Sequence, residues 1–159
     1  MIALIQRVRS ASVEVNGSTV AAIDQGLLAL IGIEKNDQPQ QCTRMLQRLL
    51  GYRVFADDQG RMNLGLQAIG GGLLLVPQFT LVADTSSGMR PGFSSAASPE
   101  HGRSIFEHMC KIASQAYPHV SYGVFSADMQ VHLINDGPVT FNLRVAPVSS
   151  VKRLQVTEK

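Results

Sequence analysis

Apolar and polar residues change their spacing several times along this 159-residue chain, and each change marks an expected element. Residues 2–8 and 11–15 alternate and predict two strands. Asn16-Gly17, a strong hairpin signal, then turns the chain into a returning strand over Val20 to Ile23. Leu27 to Ile33 is apolar without alternation, as expected of a strand buried on both faces. The period then lengthens. Cys42, Met45, Leu46, Leu49 and Leu50 recur at helical spacing, with Asp37 as the expected cap, Pro39 in the first turn and Gly51 at the end. Arg44 and Arg48 fall outside that stripe and read as a solvated face.

Further on, Tyr52 to Phe55 predicts a short strand and Asp57-Asp58-Gln59-Gly60 a turn. Met62-Asn63-Leu64 and Gly70-Gly71-Gly72 read as a loop leading to a buried strand over Leu73 to Val76. The triple glycine opens a strand and lacks a following Lys-Ser/Thr, which excludes a phosphate loop. Pro77 has no N–H for a ladder, so the chain there is at an edge or leaving the sheet. Residues 84–97, rich in Ser, Gly and Pro, predict a long loop of the kind that is often functional. Ser98-Pro99-Glu100 starts a second helix, with Ile105, Phe106, Met109, Ile112, Ala113 and Ala116 as its buried stripe and Pro118 closing it. Strands are expected at about 120–126, 128–134 and 139–145. Asn135-Asp136-Gly137-Pro138-Val139-Thr140, between the last two, reads as a hairpin turn. A second reading stays open: a rigid Gly-Pro backbone feature presented at a binding site. The pattern adds up to a single mixed α/β domain over 1–145, followed by a polar, unpatterned tail, 146–159.

Hydrophobic residues make up 45% of the chain and charged residues 16%, a balance that supports a globular core and contains no membrane span. The first residues lack a basic leader, so a cytoplasmic location is expected. Cys42 and Cys110 have no Cys or His at metal-ligand spacing and read as free thiols. A net charge of +2 without a Lys/Arg cluster permits an RNA partner whose phosphates are gripped at few points.

Standard catalytic sets are missing. His101, His108, His119 and His132 have no evident nucleophile partner, no zinc spacing accompanies them, and no Gly-x-Ser-x-Gly occurs. What remains is polar groups near strand ends: Gln78, Thr80, Asn135 and Thr140. A lone Thr80 hydroxyl is a weak nucleophile without a base. A pocket built largely from backbone N–H and C=O groups is the more economical expectation.

Two motifs, Gln78-Phe79-Thr80-Leu81 and Asn135-Asp136-Gly137-Pro138-Val139-Thr140, resemble those of the D-aminoacyl-tRNA deacylases. The likeness runs from Met1 to about Val145 and includes Ile5-Gln6-Arg7-Val8, Gly51 to Phe55, Met62-Asn63-Leu64, Gly88-Met89-Arg90-Pro91 with Phe93, and Ala127 to Val131. It implies a barrel-like, mostly antiparallel β layer with two helices packed outside, no cofactor and no metal. It further implies a homodimer that hydrolyses the ester of D-aminoacyl-tRNA and of mischarged glycyl-tRNA. In the family a cis Gly-Pro bond enters the partner's site, where its carbonyls take the space of an L side chain. Carried over, that role falls to Gly137 and Pro138, with Arg7 orienting them and Met129 and Pro77 also in the selecting site. Gln78, Phe79 and Thr80 become the catalytic stretch, with backbone N–H groups as an oxyanion site and the terminal ribose 2′-OH assisting. Two alternatives remain: Thr80 as a covalent nucleophile, and a non-catalytic module that binds RNA ends. One departure stands out, since the family's Ser-Gln-Phe-Thr-Leu reads Pro77-Gln78-Phe79-Thr80-Leu81 here. No role resting on that serine hydroxyl can hold in this chain.

Overall fold

The computed structural model describes residues 1–146; the expected tail, apart from Ala146, lies outside them. One strand organises the sheet. β1 (Ile2–Val15) pairs antiparallel with β2 (Ser18–Ile23) and β3 (Gly26–Gly32) on one side and with β8 (Gln130–Arg144) on the other. The two expected N-terminal strands are therefore one, with irregular register near its middle. The hairpin between β1 and β2 forms as expected: Asn16 and Gly17 take φ +50° and +76°, which an Asn-Gly pair tolerates well.

β3 continues into a parallel pair with β6 (Gly72–Pro77), and β6 into a parallel pair with β7 (Val120–Tyr122). The Ser121 hydroxyl donates to the Ala22 carbonyl at 3.1 Å, tying β7 to β2 and bringing the sheet close to a barrel. Outside it pack α1 (Pro39–Gly51) and α3 (Pro99–Ala116). Their apolar stripes meet β3 and β6 in one core that contains Leu27, Leu73, Leu75, Met45, Leu49, Phe106 and Met109. The interior rows of β3 and β6 are apolar at nearly every position because helices cover one face and the curled sheet the other.

Several expectations change. Asp37 does not cap α1; Gln38 does, and Gln41 Oε1 accepts from its N–H at 2.8 Å. Asp37 is instead fully buried, accepting from the Met1 ammonium at 2.7 Å and from the Glu34 N–H at 2.7 Å. A buried ammonium left unpaired is strongly destabilising, and Asp37 supplies its partner instead of capping the helix. The strand expected from Tyr52 shrinks to β4 (Phe55–Ala56), because the Val54 carbonyl is taken by Arg7. The expected loop at 62–72 contains β5 (Met62–Leu64), paired with β4, and α2 (Leu66–Ile69), whose Leu66 is fully buried. In α3 the stripe ends early: Ala116 is exposed, and Tyr117 is buried with its hydroxyl donating to the Gly71 carbonyl at 2.6 Å. The strand expected at 120–126 stops at Tyr122.

Cys42 and Cys110 are free, and burial pushes both thiols up to about 12 from the ordinary 9.0. Folding therefore opposes thiolate formation. The contribution is complete below about pH 9 and is lost as the pH rises towards 12, where only the unfolded chain ionises freely. We expect no thiol titre with a disulfide reagent at pH 8 in native protein, two thiols per chain on denaturation, and a falling midpoint above pH 9. Rapid native labelling at pH 8 would contradict this.

Candidate functional site

Pro77 ends β6 at a place where β7 no longer runs beside it, since the last partner of β7 is Leu75. The missing proline N–H therefore leaves no gap in the ladder. Beyond it the chain coils into a single 3-10 turn, Phe79–Val82. Phe79 and Thr80 open that turn, so their N–H groups have no acceptor within it. Among the described residues no backbone bond outside helices and strands uses them either. Two unspent donors thus stand side by side at the end of a central strand.

Phe79 lines a cavity of about 540 Å³ between the β3 and β6 ends and the start of α3, and Thr80 follows it in the turn. Its walls are mainly apolar, from Ile31, Val76, Pro77, Phe79, Phe125 and Met129, with Gln78, Ser98 and Ser126 as polar points. Phe79 is 62% exposed and tilts against Phe93 of the long loop, ring centres 5.2 Å apart. Met129 is held from behind, its sulfur accepting from the Val124 N–H at 3.3 Å. Phe125 and the first turn of α3 were not singled out from the sequence. A signal was present in Gly102, a glycine inside an otherwise helix-forming run: a Cβ there would lie 3.2 Å from the Phe125 ring.

Thr80 is exposed, and among the described residues the one side chain hydrogen-bonded to its hydroxyl is the Gln78 amide, which donates to it. An amide cannot act as a base. Three of the four histidines are engaged elsewhere: His101 contacts the Asp37 carbonyl, His132 lies beside Glu14, and His119 meets the Tyr117 ring edge-on. Among the described residues, no group of three or more His, Cys, Asp or Glu could hold a metal ion.

The stretch Asn135 to Thr140 is not a hairpin turn. β8 runs through it and pairs with β1 on both sides, Asn135 with Val8 and Thr140 with Gln6, so residues 136–139 face Arg7 alone. The excess chain leaves the sheet as a large bulge carrying Gly137 and Pro138, both exposed, joined by a cis peptide bond. Local turn formers misled because the flanking strands share one partner rather than pairing with each other. Arg7 anchors the bulge. Its Nε donates to the Asp136 carbonyl at 2.8 Å and its Nη1 to the Val54 carbonyl at 2.6 Å. Asp136 also faces the Arg9 guanidinium at 3.4 Å.

The expected site residues therefore form two groups. Pro77, Gln78, Phe79 and Met129 line the cavity, with Thr80 beside it; Arg7, Gly137 and Pro138 form the bulge and do not line it. Arg7 pairs with Leu27, four residues along β3 from the cavity residue Ile31 and so roughly 13 Å away along the strand.

Three comparisons bear on what this arrangement does. The family model described as D-Tyr-tRNA(Tyr) deacylase matches residues 4–144. A D-aminoacyl-tRNA deacylase of Pseudomonas aeruginosa is 59% identical over 143 residues, covering 90% of this chain and 99% of the relative. One from Alkalilimnicola ehrlichii is 58% identical over 147 residues, covering 92% and 98%. Among solved structures, a c-Myc DNA Unwinding Element Binding Protein superposes with a TM-score of 0.88 at 34% identity, over 92% of this chain and 99% of that one. A "probable eukaryotic D-amino acid tRNA deacylase" shares the fold, with a TM-score of 0.78 at 14% identity over 89% and 98%.

Proposed function

Since the chain belongs to the D-Tyr-tRNA(Tyr) deacylase family, we propose that it hydrolyses the ester joining a D-amino acid to the 3′ end of tRNA, and that it also clears glycine from mischarged tRNA. The observation that carries this is the pair of free N–H groups at Phe79 and Thr80 beside an apolar cavity. Ester hydrolysis develops negative charge on the carbonyl oxygen, and two preset donors stabilise it without reorganising. A cavity of about 540 Å³ suits a terminal nucleoside with its aminoacyl group, which an enzyme must hold in place for attack.

The nucleophile in this reading is water, assisted by the ribose 2′-OH of the substrate itself, since among the described residues no base is hydrogen-bonded to Thr80. Chirality is read by shape. The exposed Gly137-Pro138 bulge reaches a second copy of the chain and presents its carbonyls where an L side chain would go. Rejection of this kind works by a clash that no rotamer change relieves, and glycine passes because it has nothing to clash. Pairing two copies would bring the two groups of residues together, which one chain holds apart.

The test is single-turnover deacylation of D-tyrosyl-tRNA and L-tyrosyl-tRNA, with wild type and Thr80→Val. We expect hydrolysis of the D ester, little of the L ester, and a Thr80→Val rate within about tenfold of wild type, a hydroxyl being worth about one hydrogen bond here. Tight tRNA binding without D-ester turnover would reduce the protein to a binding module. Near-complete loss in Thr80→Val would instead make Thr80 the nucleophile.

A further inference from the structure

The bulge is held by more than Arg7. Asn135 Oδ1 accepts from the Val139 N–H at 2.7 Å, while its Nδ2 donates to Thr140 Oγ1 at 2.9 Å and, at a longer 3.4 Å, to the Val139 carbonyl. One carboxamide thus spans the base of the bulge, from its first limb to its last. We propose that Asn135 is a positioning residue for chiral selection, fixing where the Gly137-Pro138 carbonyls point. The proposal rests on the reading that this bulge is the chiral selector.

The argument follows from the ladder. Residues 136–139 lie opposite Arg7 alone, so their backbone groups cannot all find partners on β1. Arg7 takes up the Asp136 carbonyl on the entering limb. Asn135 takes up both polar groups of Val139 on the leaving limb. Gly137 and Pro138 are therefore suspended between two anchors, and loosening either lets the tip tilt. Only a short side chain with a donor and an acceptor on one carbon can do this: Asp lacks the donor, and Gln is one methylene too long. Asn135 is half-buried, which limits competition from water.

The test compares D-tyrosyl-tRNA and L-tyrosyl-tRNA in single-turnover deacylation for wild type, Asn135→Ala, Asn135→Asp, Thr140→Val and Gly137→Ala. Asn135→Ala is expected to lower the D-over-L rate ratio by about tenfold, the loss of one to two net hydrogen bonds. Asn135→Asp should lose less, since its carboxylate still accepts from Val139, and Thr140→Val less again. A purely structural role would lower both rates alike and leave the ratio unchanged. An unchanged ratio in Asn135→Ala alongside a collapsed ratio in Gly137→Ala overturns the proposal and leaves the selector reading intact. Unchanged ratios in both overturn the selector reading and the proposal with it. If Asn135→Ala does not fold, an unchanged ratio in both Asn135→Asp and Thr140→Val overturns it equally.

Discussion

Gly137→Ala is expected to lower the D-over-L rate ratio by about 10- to 100-fold while leaving the protein folded. Gly137 adopts φ +148°, a backbone region that L residues rarely enter. The space is closed as well. A Cβ there would lie 2.6 Å from Val139 Cγ2, 2.9 Å from the Val139 nitrogen and 3.3 Å from Arg7 Nη2. Two of these neighbours belong to the anchored limb, so the clash is relieved by moving the tip rather than by a rotamer change. Because the tip is exposed and outside the core, the strain should stay within the bulge and spare global stability. Rates on both diastereomeric esters, with a thermal melt as control, check this. A ratio equal to wild type in a folded variant would remove Gly137 from selection.

Asp37→Asn should produce the largest stability loss, about 2–3 kcal/mol, which for a chain of this size lowers the melting temperature by roughly 5–10 °C. Asp37 and the Met1 ammonium are both completely buried and 2.7 Å apart. Asparagine keeps the shape and an acceptor for the Glu34 N–H but removes the charge, leaving the ammonium to Glu34 and the Val145 carbonyl. Glu34 is partly solvated and shared with Arg144, so Glu34→Gln should cost less. Urea unfolding of both variants checks the order. If Glu34→Gln proves the more damaging, the charge balance at Met1 has been misassigned. Deacylation by folded Asp37→Asn should be near normal, since neither Met1 nor Asp37 lines the cavity.

Much of the fold was legible because its signals are local. Asn16-Gly17, Ser98-Pro99-Glu100 and the stripe Cys42 to Leu50 each announce an element through its own residues, and each forms as expected. The errors cluster where a distant partner overrules the local preference. Asp37 looks like a cap until the Met1 ammonium arrives. Tyr52 to Val54 looks like a strand until Arg7 takes the Val54 carbonyl. α2 is too short to show a period, and nothing in its four residues announces Leu66 as a core residue.

The candidate site divides in the same way. The sequence by itself determined which residues to watch: Gln78 to Thr80, Met129, Arg7 and the Gly137-Pro138 pair all stand in motifs that could be read without coordinates. It also raised the expectation that side chains do little of the chemistry, because no base accompanies Thr80 in any recognisable spacing. The tertiary structure alone decided that Asn135 to Thr140 is a bulge rather than a turn. That outcome depends on β1 being long enough to pair with both flanks of β8, a contact more than a hundred residues distant in sequence. It decided, too, that Phe125 and the start of α3 complete the cavity: Gly102 hints at a close approach, but which ring approaches is set only where the surfaces meet in space. Local propensity reports what a segment prefers; which preferences survive is set by the partner it meets.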